Sequence, residues 1–350
     1  MGTKGYRRIT GLLLCLCMVF CCLFSGCGKQ EDVTAKQEDN KSDSIQIGLS
    51  MDSFLRERWQ RDRDVFVSKA KELGAEVNVQ NANGDIAEQI SQIEYFIKKK
   101  VDVIVIVAID ANSLDDVVQK AKKAGIKVIA YDRLICNADV DLYISFDNEQ
   151  VGALMAQAMK KALGNQGTII RINGSPTDNN VNMLTEGFDI VMRGSNIKVD
   201  LTEYSEGWRA ENGFKVTSDY LISGKVPDGI ICGNDGIAAY AIKALAENRL
   251  AGKVFVIGQD ADLDACQRIV EGTQYMTVYK PVEVLAQRAA ERAVELAKGV
   301  EIEVPSTIDD GTYEVPYEKL QPYAVTKENM DDVIIGKYHQ RSDVYLNISK

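Results

Sequence analysis

Amides, carboxylates, cations and both tryptophans of this chain recur in one kind of place, directly after short runs of β-branched residues. In Val128-Ile-Ala-Tyr-Asp132-Arg133 an apolar run passes straight into an acid and a base. Comparable groups follow other such runs: Asp52 with Arg58 and Trp59, Asp147 with Asn148, Asp178 with Asn179 and Asn180, Trp208, Asn234 with Asp235, Asp260 with Asp262, and Lys280. Groups of fixed geometry exchange hydrogen bonds with hydroxyls, and an indole covers the apolar C–H face of a pyranose, so the set suits a sugar. Each group also has a structural use. Asp178, Asp235 and Asp262 can cap helices, Asp132 and Arg133 can form a strand-end ion pair, Arg58 and Lys280 can be solvated charges, and Trp59 and Trp208 can be core residues. Placement at separate strand ends argues against a purely structural use for all of them at once.

Catalysis finds little support. The sole histidine is His339, near the C-terminus, which removes His-based triads, relays and zinc sites. No Walker loop, GxGxxG or GxSxG occurs. Asp132, Asp147 and Asp260 would supply paired carboxylates for glycoside hydrolysis, but the mixture of cations around them does not favour a protonated acid. No catalytic residue, cofactor or metal site is expected.

Such groups need strands that deliver their carboxyl ends to one place. Ile45 opens a strand, followed by a helix from near Glu57 to Leu73. A strand over 75–80 precedes a helix with Ile86, Ile90, Ile93 and Ile97 on one face. Further strands are predicted over 101–108, 126–131 and 142–146. After Asp147 a second series begins, with strands over 167–172, 198–201, 229–232, 254–257 and 275–279, again separated by helices. The alternation predicts an α/β fold of two doubly wound parallel-sheet lobes, covered on both faces. Ligands bind beyond the carboxyl ends of such strands and between domains, so a cleft between the lobes is expected.

The chain has 350 residues and a net charge of −10, and its first 26 residues hold three cations and no acid, so the remainder carries −13. Such acidity argues against a nucleic-acid partner. Residues 1–26 read as a secretory signal: a basic start, then an apolar run too short to span a bilayer. Phe24-Ser-Gly-Cys27 resembles the lipobox of bacterial lipoproteins, making Cys27 the expected lipidation site and membrane anchor. Residues 27–44 are polar and read as a disordered tether. In the folded part only Cys136, Cys232 and Cys266 remain, too few and too widely spaced for a disulfide framework, and free thiols are expected.

Arg58-Trp-Gln-Arg-Asp-Arg-Asp64, Ala130-Tyr-Asp-Arg133, Tyr143-Ile-Ser-Phe-Asp-Asn148, Gly174-Ser-Pro-Thr-Asp-Asn-Asn180, Gly258-Gln-Asp-Ala-Asp262 and Met276-Thr-Val-Tyr-Lys-Pro281 together carry a resemblance. From about Ile45 to His339 the chain resembles type I periplasmic sugar-binding proteins, and among them those that take D-xylose. The resemblance implies sugar contacts from Arg58, Trp59, Asp132, Arg133, Asp178, Asn179, Asn180, Trp208, Asn234, Asp260 and Lys280. It also implies three crossings between lobes, near 147–150, 279–282 and 306–311. The N-terminal lobe would then comprise 45–148 and 282–308, and the C-terminal lobe 149–281 and 309–345. The implied function is capture of D-xylose or a closely related monosaccharide by hinge closure and delivery to an ABC permease, by a monomer held at the outer face of the cytoplasmic membrane. A sensor partnered with a membrane histidine kinase would need the same cleft.

Overall fold

The computed structural model describes residues 44–348. The expected signal peptide, Cys27 and tether residues 28–43 lie outside the described residues. In chain order the first half gives β1 (Ile45–Met51), α1 (Glu57–Glu72), β2 (Ala75–Asn81), α2 (Ile86–Lys99), β3 (Val103–Ile106), α3 (Asp115–Lys123), β4 (Lys127–Tyr131) and β5 (Leu142–Phe146). Then follow α4 (Asn148–Ala162), β6 (Gln166–Asn173), α5 (Asn179–Met192), β7 (Asn196–Tyr204), α6 (Glu211–Ile222), β8 (Gly229–Cys232), α7 (Asp235–Glu247), β9 (Phe255–Gln259), α8 (Leu263–Glu271) and β10 (Met276–Tyr279). The chain ends with α9 (Val282–Ala297), β11 (Ser306–Asp309), β12 (Glu314–Leu320), β13 (Tyr323–Val325) and two single-turn helices, α10 (Met330–Val333) and α11 (Arg341–Val344).

Two sheets result, in the orders β11-β12-β5-β4-β3-β1-β2 and β13-β10-β9-β8-β6-β7, so the α/β fold of two doubly wound lobes is present. The middle of the first sheet explains its sequence. All four residues of β3 are buried. Val103 and Val105 meet Phe66 of α1 and Leu285 and Ala289 of α9 on one face, while Ile104 and Ile106 meet Ile93 and Phe96 of α2 on the other. Each such side chain contributes ~1.5–3 kcal/mol on burial. Phe96 lies so close to β1 that a Cβ at Gly48 would sit 2.6 Å from its ring. A Gly48→Ala change therefore has to displace α2.

Helix α2 departs from the expected face. Ile93 is buried, but Gln89, Gln92 and Phe96 share its burial, whereas Ile86, Ile90 and Ile97 are only half-buried. Gln89 is tolerated inside because its amide is satisfied: it donates to the Val107 carbonyl at 2.9 Å and accepts from the Ile109 amide at 3.0 Å.

The third crossing also differs from expectation. β11 and β12 form an antiparallel hairpin, and β12 then pairs in parallel with β5, so residues 309–320 belong to the first sheet and not to the second lobe. Asp310 fixes the hairpin turn, accepting from the amides of Thr312 and Tyr313 with one oxygen and of Ala138 and Asp139 with the other. The chain crosses only after Leu320, and β13 pairs with β10. The other two crossings fall between β5 and α4 and between β10 and α9. Cys136, Cys232 and Cys266 are free thiols.

Candidate functional site

Where the carboxyl ends of the two sheets face each other, a cavity opens between the lobes. Arg56, Arg58, Trp59, Asp132 and Arg133 line it from the first lobe, Asn148, Asp178, Asn180, Trp208, Asn234, Gln259 and Asp260 from the second, and Lys280 from the crossing before α9. Of the sugar contacts implied by the resemblance, only Asn179 stays out of the lining; of the other strand-end groups, Asp52, Asp147, Asp235 and Asp262 stay out as well. Asn179 is the first residue of α5, between the N-cap Asp178 and the inward-facing Asn180, and its side chain accepts from Asn182 at 3.1 Å. Asn148, named among the strand-end groups but not among the implied sugar contacts, also lines the cavity, as do Arg56 and Gln259, which the sequence did not mark.

Strained backbone aims several of these groups. Asp132, Trp208 and Asp260 all adopt positive φ, at 63°, 59° and 106°, which persists only where surroundings over-determine it. Around Asp132 they do: its carbonyl accepts from Ser145 Oγ at 2.6 Å, Asn180 Nδ2 at 3.0 Å and the Tyr143 hydroxyl at 3.2 Å. The Asn180 oxygen accepts in turn from Asn148 Nδ2 and the Tyr143 hydroxyl. Asn180 therefore holds the Asp132 carbonyl with its amide nitrogen, while its oxygen is anchored by Asn148 and Tyr143. Trp208 is packed against bare backbone: a Cβ on Gly174 would sit 2.2 Å from its ring.

Cations and carboxylates alternate around the cavity. Arg58 donates to Asp132 at 2.7 Å, Arg133 lies 3.0 Å from Asp52 and 2.8 Å from Asp178, and Lys280 lies 2.7 Å from Asp260. The Arg133–Asp178 pair joins the two lobes. Burial pushes the Asp132 and Asp260 carboxyls upward, but Arg58 with Lys280 for the first, and Lys280 with Arg58 for the second, outweigh it and hold both below the ordinary range. Asp178 goes the other way, raised by burial despite Arg133. It caps α5 through the Asn180 amide and accepts from Trp208 Nε1 at 3.1 Å. Arg56 bridges the tryptophans, 5.8 Å from the Trp59 ring and 5.4 Å from the Trp208 ring. Burial and the like charge of Arg133 lower it to about 10, so it stays charged at neutral pH.

Buried polar atoms normally find partners. Three in this cavity lack a conventional hydrogen-bond partner: Trp59 Nε1, a donor, Gln259 Oε1, an acceptor, and Asp260 Oδ1, which is met by the ion pairs to Lys280 and Arg58. Asn234 uses its oxygen to cap α7 through the Ile237 amide at 2.9 Å, and Gln259 its nitrogen on the Gly233 carbonyl at 2.6 Å. The arrangement offers directed, charge-assisted hydrogen bonds to a neutral polyhydroxylated ring between two indoles. Hydrolysis is poorly served, because Asp147 is not in the cavity. It caps α4 through the Gln150 amide at 3.0 Å, and Asp132 and Asp260 are held ionised, whereas a glycosidase needs one carboxyl kept protonated. Among the described residues no cluster suited to a metal ion occurs.

Comparison with known proteins agrees with this geometry. The family model for the periplasmic binding protein domain matches residues 47–301. The D-xylose-binding periplasmic protein of Haemophilus influenzae is 45% identical over 310 residues, covering 87% of this chain and 93% of its own. Its counterpart in Escherichia coli is 44% identical over 306 residues, covering 86% and 92%. Among solved structures, an ABC transporter solute-binding protein from Clostridium phytofermentans with bound β-D-glucose aligns with a TM-score of 0.79 at 29% identity, covering 85% of this chain and 99% of that one.

Proposed function

Because the chain belongs to the periplasmic binding protein family, we propose that it captures D-xylose outside the cytoplasm and delivers it to the permease of an ABC transporter, without chemistry on the sugar. The observation that carries the reading is the cavity itself, lined by groups from both lobes and from a crossing segment, with the Trp59 Nε1 donor and the Gln259 Oε1 acceptor left for a guest. Contacts divided between lobes favour the closed arrangement, and a ligand shifts such an equilibrium only through differential affinity. Arg58, Trp59, Asp132, Arg133, Asp178, Trp208, Asn234, Asp260 and Lys280 make the sugar contacts in this reading. Asn180 acts by holding Asp132, and Asn179 has no part. Acylation of Cys27 would keep a monomeric receptor at the outer face of the membrane. Calorimetry with a panel of pentoses and hexoses tests the assignment: D-xylose is expected to bind most tightly, and absence of binding by any pentose would overturn it.

A further inference from the structure

Asp62 touches nothing in the cavity, yet it is 2% exposed and stands one helical turn after Arg58 on α1. One of its oxygens accepts a hydrogen bond from the Tyr131 hydroxyl, and the other lies 3.5 Å from Arg58 Nε. The opposite edge of the same guanidinium donates to Asp132 Oδ2 at 2.7 Å and approaches Asp260 Oδ1 at 3.8 Å, while the Trp59 ring lies 4.2 Å away. Arg58 is thus gripped from behind by one carboxylate and from the cavity side by two.

We propose that Asp62, held by Tyr131, is a positioning residue: it fixes the plane of Arg58 and balances its charge from outside the cavity, so that Asp132 and Asp260 keep acceptor capacity for ligand hydroxyls. This rests on the reading that the cavity takes a neutral monosaccharide. The geometry supports it: Arg58 approaches Asp132 at Oδ2, and both Arg58 and Lys280 approach Asp260 at Oδ1. Without Asp62, Arg58 would draw more fully on both acids.

The groups facing Asp62 are Arg58 on its own helix, Tyr131 from β4 and Asp132 just beyond it. Arg61, on the same helix, turns instead to Glu283 at 2.9 Å and to the Tyr338 carbonyl at 3.0 Å. Burial, against the pull of Arg58, raises the Asp62 carboxyl to about 6. Protonation of Asp62 therefore relieves a buried charge and favours the fold as pH drops through that value, a contribution lost as pH rises through it. Sugar affinity runs the other way, since neutral Asp62 releases Arg58. A purely structural role would move stability and affinity together.

Calorimetric titration of the folded chain with D-xylose from about pH 5 to about pH 8 tests this, on wild type, Asp62→Asn and Tyr131→Phe. Wild type is expected to lose roughly tenfold in affinity towards the acid end, and Asp62→Asn to be weaker by roughly tenfold at neutral pH with a flattened profile. Tyr131→Phe removes a hydrogen bond that favours the ionised carboxylate, so its acid limb moves to higher pH, with roughly threefold weaker binding. Asp62→Asn binding as tightly as wild type, or with a parallel pH profile, overturns the inference. Should Asp62→Asn not fold, an unmoved acid limb in Tyr131→Phe overturns it instead. Wild type that binds no monosaccharide overturns the parent reading, and this one with it.

Discussion

Replacing Asp260 by Asn asks whether the charges of the cavity serve a guest or only one another. Its carboxylate lies 2.7 Å from Lys280 Nζ and 3.8 Å from Arg58, with Asp260 7% exposed and Lys280 6%. At 2.7 Å, with an effective dielectric of ~20, the Coulomb attraction is ~6 kcal/mol. Desolvating both ions offsets most of it, but deleting one partner strands the other, which typically costs ~3–5 kcal/mol of stability. The sugar's own loss is smaller, ~1.5–3 kcal/mol for a hydroxyl bonded to a charged acceptor, or ~10- to 150-fold in Kd. Asn preserves the volume and tolerates the positive φ of 106° at this position. Thermal unfolding of the ligand-free protein reads the first effect and D-xylose calorimetry the second. Because Asp260 is held below the ordinary carboxylate range, the stability from its ionised form is present above the unfolded pKa and is lost only as pH falls through the lower folded value. Near neutral pH the comparison is therefore free of its titration. A variant that loses stability yet binds D-xylose within about twofold of wild type would show a pair built for the fold alone, and would refute the contact.

Glucose carries a hydroxymethyl at C5 where xylose has none, and the cavity is walled by Arg58, Trp59, Arg133, Trp208 and Lys280. Overpacking of ~1–3 kcal/mol predicts binding ~10- to 100-fold weaker than xylose in competition calorimetry, and equal affinities would refute the ligand assignment. Saturating xylose should reduce the radius of gyration in solution scattering, because the Arg133–Asp178 and Arg58–Asp260 pairs form only with the lobes together; an unchanged radius counts against closure by the sugar. For the anchor, Cys27→Ala is expected to leave the membrane fraction and to lose the acyl mass, and a variant still equally membrane-bound and processed refutes lipidation.

The strand ends were readable in the sequence because a parallel strand buried on both faces must be continuously apolar, and its exit is marked by the first polar residue. Asp132, Asp260 and Lys280 stand out for that reason. Asn179 misled because Asp178 precedes the helix in extended conformation and reaches the cavity from there, while within the helix a step of about 100° separates the inward Asn180 from Asn179. Arg56 carried no distinguishing mark: it lies in a loop two residues before Arg58, and its place between Trp59 and Trp208 emerges only when the two lobes come together. The β11–β12 hairpin was missed because edge strands alternate weakly and β12 contains Pro316, although Asp310-Gly311 is a turn signal that could have revealed it. Once that hairpin is overlooked, the last crossing is placed about ten residues too early.

That hairpin has a mechanical consequence. Phe146 of β5 pairs with Leu320 of β12, and Tyr279 of β10 with Tyr323 of β13, so the three connections leave one sheet and enter the next side by side. The Asp147 amide donates to the Leu320 carbonyl at 2.9 Å, and the Tyr317 hydroxyl to the Phe146 carbonyl at 2.7 Å, lashing two of them together at the rim. Pro281 and Pro322 each fix one torsion within these links. Three parallel straps resist twisting and sliding far better than they resist bending about the line across them. Any parting of the lobes is thereby reduced to something close to a single angle, and whatever docks on their outer edges can read occupancy of the cavity as a change in one length.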